Sequence, residues 1–338
     1  MSRRVVLRAL GGVVVSALAV LLVAQSADIP SALARVANVD VRWLALPALV
    51  IFAQMWVRAS RWAILLRAVQ AVPVSTRAAI WPTVAAYLGN AVLPARLGEV
   101  VRIVLISRRT RVTATAATAS VLIERVVDLL ALLAFAAAAY GAVGAIGWLP
   151  LAGMLVLLVA FGLVLRAAGR LAAHVPERLP VRLHDVMVRL LGAFAAARPA
   201  AIGLAWLVSL LAWALDAVTI FLCAGALGLP ISPAAAILLS AGGAVGSILP
   251  AASASFGTYE LGAVTVAAIA GISADHALQV ALMTHVLSVV SILVMGVAGI
   301  VLTSIGGTRS PAARDEPGGS AADPGPDERL LMTTLGEG

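Results

Sequence analysis

The chain has 338 residues, 62% of them hydrophobic and 12% charged, where a soluble domain carries about 25% charged residues. Arranged in apolar runs, this composition excludes a soluble enzyme, a secreted disulfide scaffold and a nucleic-acid binder, and predicts an all-α polytopic membrane protein. Its one cysteine, Cys223, permits no intrachain disulfide or thiolate cluster. The 24 basic residues are all Arg. Up to Ser304 there are 21 Arg against 10 acids, and from Ile305 onward 3 Arg against 6 acids. Arginines between apolar spans set topology and meet anionic headgroups.

The first apolar run is Leu10–Ala27, behind Arg3, Arg4 and Arg8. It reads as an uncleaved first span, although Ala24-Gln-Ser-Ala27 also fits a small-residue cleavage site. Trp43–Trp62 follows, ending in Arg58, Arg61 and Arg67. Ala78–Pro94 is broken by Gly89, Asn90 and Pro94, and Leu97–Ile106 is too short to span a bilayer. Thr113–Tyr140 carries Glu124, Arg125 and Asp128, and Gly147–Leu165 is uninterrupted. The basic stretch 166–198 contains an amphipathic segment, Val181–Ala197, expected to lie along the membrane surface. Ala200–Leu222 holds Asp216; Pro233–Pro250 is rich in Gly and Ser; Phe256–Ile272 and His276–Ile305 complete the apolar part, the last with His285. The Pro/Gly/Asp-rich residues 306–338 read as a disordered cytoplasmic tail.

Two segments resemble each other. Asn90-Ala-Val-Leu-Pro94-Ala-Arg96-Leu-Gly98-Glu99 pairs with Gly246-Ser-Ile-Leu-Pro250-Ala followed by Phe256-Gly257-Thr-Tyr-Glu260. Glu99 precedes Glu124 by 25 residues, and Glu260 precedes His285 by 25. With the basic N-terminus inside, the arginine distribution accommodates six full spans and two re-entrant hairpins of opposite orientation, 78–106 and 233–272. This is an inverted-topology repeat with halves 43–140 and 200–305 inside one domain, 1–305. Both termini and the loop 166–198 are then cytoplasmic. Inverted repeats with broken helices are a recurring transporter plan, with substrate bound near the midplane.

Ionisable groups inside spans mark cavities or partners, because a charge at the bilayer centre costs about 3 kcal/mol or more. Glu124 and Asp128 share a helix face, and adjacent Arg125 pairs either with Glu99 or with a lipid phosphate. Arg96 and Arg102 flank Glu99, and Arg96 offers either a bidentate grip on phosphate or an interfacial anchor. Glu260 sits at the other hairpin's turn, as substrate ligand or helix cap. His285 is a proton-linked group or a packing residue, and Asp216 a proton site or the partner of an arginine. The candidate substrate-binding set is therefore Arg96, Glu99, Arg102, Glu124, Arg125, Asp128, Glu260 and His285, with Pro94, Gly98, Pro250 and Gly257 shaping the hairpins. Nucleotide-binding, metal-binding and nucleophile-elbow motifs are absent from the sequence, so no catalytic residue, metal or cofactor is assigned.

Arg61-Trp62, Asn90-Ala-Val-Leu-Pro-Ala-Arg-Leu-Gly-Glu-Val-Val-Arg102, Ile123-Glu-Arg-Val-Val-Asp128 and Leu249-Pro-Ala with Gly257-Thr-Tyr-Glu260 together resemble the lysylphosphatidylglycerol synthase transmembrane-region family of flippase-like integral membrane proteins. The resemblance covers roughly residues 5–305. It implies a bacterial inner-membrane domain that moves lipids or lipid-linked compounds between leaflets, without the soluble aminoacyl transferase domain found in some relatives. The chain departs from the family pattern at Pro250-Ala-Ala-Ser-Ala-Ser-Phe-Gly257, where a glycine-richer form is expected, and at His285, where an arginine is expected.

The expected activity is translocation of an anionic lipid or a polyprenyl- or glycan-linked lipid. The alternative is a non-transporting partner that scaffolds a membrane glycosyltransferase or lipid synthase through the Arg-rich loop. A third, an intramembrane lipid-modifying enzyme, would use the carboxylates.

Overall fold

The computed structural model describes residues 3–92, 97–142, 144, 148–249 and 253–306. Among these the chain forms twelve α-helices and no strand. Residues 1–299 form one compact unit, and 300–306 belong to a second. Pro94, Arg96 and Pro250, together with the tail 307–338, lie outside the described residues.

Helix α1, Arg3–Ala24, and α2, Ile29–Ala37, meet at a 96° bend. Asp28 accepts from the Ser31 N–H at 3.2 Å and Pro30 occupies the first turn, so α2 starts as a new helix with its own cap. A 3-10 turn, Val41–Leu44, leads into α3, Ala45–Val69. Next come α4, Thr76–Val92, and α5, Gly98–Arg109, then the long α6, Ala114–Ala142, and α7, Trp148–Ala173. The amphipathic segment forms α8, Val181–Ala195. In the second half α9 is Pro199–Ala226 and α10 is Pro233–Gly246. A 3-10 turn, Ser253–Ser255, then precedes α11, Thr258–Thr265, and α12, Ala274–Gly306.

Four segments are long and apolar enough to cross a membrane: Val41–Val69, Trp148–Ala173, Pro199–Ala226 and Ala274–Leu302; the bent α1–α2 pair makes a fifth. Helix α6 has 29 residues, about 44 Å at 1.5 Å per residue, but Glu124, Arg125 and Asp128 interrupt its apolar character. Two boundaries differ from expectation. Helix α3 runs past Trp62 to Val69, so Arg58 and Arg61 lie inside the helix rather than at its end. Helix α7 likewise runs through Arg166 and Arg170 to Ala173, which shortens the basic loop.

The most extensive helix pairing joins α3 to α9. One core gathers Trp62, Leu65 and Leu66 of α3 with Ile106, Ile123 and Val127. A second gathers Ile220 and Cys223 of α9 with Leu239, Leu278 and Met283. Helix α7 buries only Phe161 and Ala168 and exposes leucines and valines on its remaining faces, as lipid contact requires.

The short helices pair as α4 with α5 and α10 with α11. Glycine makes both approaches possible. A Cβ at Gly98 would overlap the Ala86 carbonyl oxygen, and the Gly98 N–H donates to Asn90 Oδ1 at 3.0 Å. Across the second pair, Gly242 and Gly246 face Gly262 so closely that a Cβ at any of the three would strike backbone atoms. Small residues letting helix backbones touch are a main source of cohesion in a membrane. Gly262→Val should therefore lower stability in detergent by about 1–3 kcal/mol through overpacking. Gly203→Ala, in open space on α9, should leave the thermal midpoint unchanged or slightly raised.

Candidate functional site

Arg61 is fully buried, and its guanidinium joins three helices. Nη2 lies 2.5 Å from Glu124 Oε1, and Nη1 pairs with Asp128 and donates to Ser209 Oγ on α9 at 3.0 Å. The second Glu124 oxygen, Oε2, lies 2.9 Å from Arg102 Nη1, so this carboxylate bridges two arginines. Arg102 Nη2 reaches Glu99 Oε2 at 2.6 Å, and its guanidinium stands 4.8 Å from the Trp62 ring centroid. Trp62 in turn donates to Ser120 Oγ at 3.0 Å. Arg125 closes the network at its edge, 3.2 Å from Glu99 Oε1 and 3.6 Å from Glu124 Oε1.

Three guanidinium groups and three carboxylates are thus neutral together. Buried ion pairs repay their desolvation only with good geometry and further hydrogen bonds; Ser209 accepts one from Arg61, and Trp62 offers Arg102 its ring face. The network is closed inward and open outward. The side chains of Arg61 and Glu124 are 0% and 3% exposed, whereas those of Arg125 and Glu99 are 47% and 27% exposed. Of the expected site residues, Glu99, Arg102, Glu124, Arg125 and Asp128 come together here.

Glu260 and His285 form a separate centre. Glu260 Oε2 accepts from the Gly257 N–H at 2.7 Å, and Oε1 lies 2.6 Å from His285 Nδ1. His285 Nε2 lies 2.8 Å from the Ala254 carbonyl oxygen. Phe256 stacks on the imidazole at 4.3 Å, and Tyr259 tilts against it at 4.8 Å. The turn held here has left-handed backbone at Ala254 (φ 59°) and Ser255 (φ 59°), which costs about 1–2 kcal/mol per non-glycine residue. Three successive carbonyls of that turn accept side-chain hydrogen bonds: Ala254 from His285, Ser255 from Thr258 at 3.0 Å, and Phe256 from Ser16 of α1 at 2.8 Å. The Ser253–Ser255 turn also packs on α4, bringing the second short pair against the first. Among the described residues no hydrogen bond or ion pair joins Glu260 and His285 to the network around Arg61.

A third polar group lies between α3 and α9. Arg58 Nη1 donates to Tyr87 Oη at 2.6 Å, its Nη2 is 4.0 Å from Asp216, and its guanidinium approaches the Trp213 ring to 5.9 Å. Asp216 accepts from Gln54 at 3.1 Å and from Ser240 at 2.5 Å. Arg58, Arg61 and Gln54 were not among the expected site residues. Their signal was nonetheless present, since positions 54, 58 and 61 are spaced by four and three and fall on one helix face.

The network's coupling is measurable. Arg61→Met leaves Asp128 without its cation and Glu124 without its nearest one, and should cost about 3–5 kcal/mol. Arg61→Met combined with Asp128→Asn should recover part of that loss in thermal or denaturant unfolding. With the Asp128→Asn single variant completing the cycle, a double-variant loss equal to the sum of the two single losses would show that the pair is not coupled.

The chain matches the family described as Lysylphosphatidylglycerol synthase TM region over residues 9–296 and belongs to it. No curated protein matches the chain.

Proposed function

We propose that this member of the lysylphosphatidylglycerol synthase transmembrane-region family moves an anionic phospholipid, or a polyprenyl- or glycan-linked lipid, between the leaflets of a bacterial inner membrane. The observation that carries this reading is the outward edge of the buried charge network. Arg125 is half-exposed, and its carboxylate partners stand at 3.2 and 3.6 Å. A lipid phosphate competes well for such a guanidinium, because phosphate accepts two parallel N–H bonds in good geometry. Removal of Arg125 from Glu99 by a phosphate leaves Glu99 with Arg102. The headgroup would slide along this edge while its acyl chains stay in hydrocarbon. The chain would thus act as a carrier and not as a catalyst of covalent change.

Topology supports the same reading. Helices α4, α5, α10 and α11 measure about 26, 18, 21 and 12 Å from their 17, 12, 14 and 8 residues. All fall short of the ~30 Å hydrocarbon core. Each pair follows one long helix and precedes another, and each ends in an acid–base contact with that next helix, Glu99 with Arg125 and Glu260 with His285. Six spans with two hairpins in an inverted repeat account for this parallel and place both termini inside. A cytoplasmic glycosyltransferase or lipid synthase supplying the lipid would meet the segment 166–198.

Vesicles containing fluorescent-headgroup phosphatidylglycerol, with an impermeant reductant outside, test the activity. The wild type should expose inner-leaflet probe to reduction, and Arg125→Ala should slow this roughly tenfold or more, the worth of one charged hydrogen bond of about 1.5–3 kcal/mol. Because Arg125 is exposed, the variant should lose no more than about 1 kcal/mol of stability. Wild-type translocation by Arg125→Ala would overturn its assignment. For the topology, Ala173→Cys should resist an impermeant external thiol reagent in intact cells, and Pro230→Cys should react.

A further inference from the structure

We propose that Glu260 and His285 form a proton-binding site that couples lipid movement to a transmembrane proton gradient. The inference rests on the translocation reading above and adds the coupling ion. It follows from which atoms face each other. The Ala254 carbonyl oxygen can only accept, so His285 Nε2, 2.8 Å away, must carry a hydrogen. His285 Nδ1, 2.6 Å from Glu260 Oε1, then faces a carboxyl oxygen with the ring's one neutral-state hydrogen already used. Two unshared electron pairs at that distance repel, so a second proton lies between Nδ1 and Oε1. It belongs to the pair, whether written as imidazolium with carboxylate or imidazole with carboxylic acid. The other Glu260 oxygen is occupied by the Gly257 N–H, leaving no second cation to hold the pair together.

The surroundings make that proton consequential. Tyr259 and Phe256 enclose the ring. Cys223 of α9 shares a core with Tyr259, and Asp216 of the same helix is already engaged by Gln54, Ser240 and Arg58. Helix α10 and the part of α1 from Gly11 onward carry no titratable residue. Helix α4 contributes Tyr87, bound to Arg58, and Arg77 in its first turn. The remaining titratable groups of α12, Asp275 and His276, sit at its start. With its proton the pair is neutral overall. Without it, one uncompensated negative charge would stand in a buried site. Loss of the proton therefore requires opening to water, and the bond that breaks with it is the one between Nδ1 and Oε1, which ties α12 to the first turn of α11 beside the left-handed turn. One proton bound ties α11 to α12; one proton released, to whichever side the site faces, frees them from each other.

Two measurements test the proposal. In a variant with His174, His184 and His276 changed to Gln, His285 is the one remaining imidazole. Its nitrogen-15 spectrum at neutral pH should show hydrogen on Nε2 and a shared hydrogen at Nδ1. A bare Nδ1 lone pair beside an ionised Glu260 would overturn the site. In vesicles with fluorescent phosphatidylglycerol and an entrapped pH dye, a gradient of one unit should drive the leaflet ratio toward about tenfold, the limit for one proton per lipid, with matching proton flux. Glu260→Gln can donate to Nδ1 and accept from Gly257, so it keeps each hydrogen bond but has no proton to exchange. It should unfold at the wild-type temperature and lose the gradient response, whereas His276→Gln should keep it. Lipid movement identical with and without the gradient, in wild type and Glu260→Gln alike, overturns the coupling and leaves the translocation reading standing. No lipid movement under any condition overturns both.

Discussion

A guanidinium with no exposed surface holds the first half of this protein together. Arg61 reaches two carboxylates on α6 and a hydroxyl on α9 from a position deep within α3. No single one of those helices satisfies it. The charge is tolerable only when all three are assembled around it, since a lone buried charge costs far more than its neutralised set. Arg102 extends the same logic to α5, a helix of 12 residues. Arginine suits this task better than lysine. Its planar fork serves two acceptors at once and does not lose its charge.

The second half solves a different problem with different chemistry. There the difficulty is the turn that leads into α11, whose carbonyls need donors. The solution is local: a histidine, a threonine and a serine each take one carbonyl, while glycine contacts between the two helices remove any gap between them. The two halves therefore share a helical plan but not a polar interior. One is built on permanent charges that cancel, the other on a pair whose charge depends on a proton.

Much of this was legible in the chain. Apolar runs located the long helices, although α1, α3 and α7 extend seven or eight residues beyond them at one end, and the Leu-Pro-Ala segments marked where short helices replace long ones. The 25-residue spacing from Glu260 to His285 is realised as a direct contact. The role of Arg58 and Arg61 shows only in their spacing with Gln54 on one face of α3, not in their place along the apolar run. Arginine near the end of an apolar run ordinarily marks the interface, and only their partners on α6 and α9, distant in sequence, keep them inside. The short α2 was missed because nine residues with one Pro and one Arg carry too little periodicity to separate from a loop.

The bent N-terminal pair sets the order in which the molecule can be completed. Ser16 of α1 bonds to residue 256, the Asp28 N–H to the side chain of Asp275, and Arg35 of α2 to the carbonyl of Leu227. The first segments to leave the ribosome thus find their polar partners among the last. Until about two-thirds of the chain has been made, α1 and α2 have none of these contacts. Loop closure over such separations is slow, so the N-terminal end of this protein is finished only after synthesis is nearly over. A ribosome stalled before α9 leaves behind a fragment whose first two helices have no place to dock.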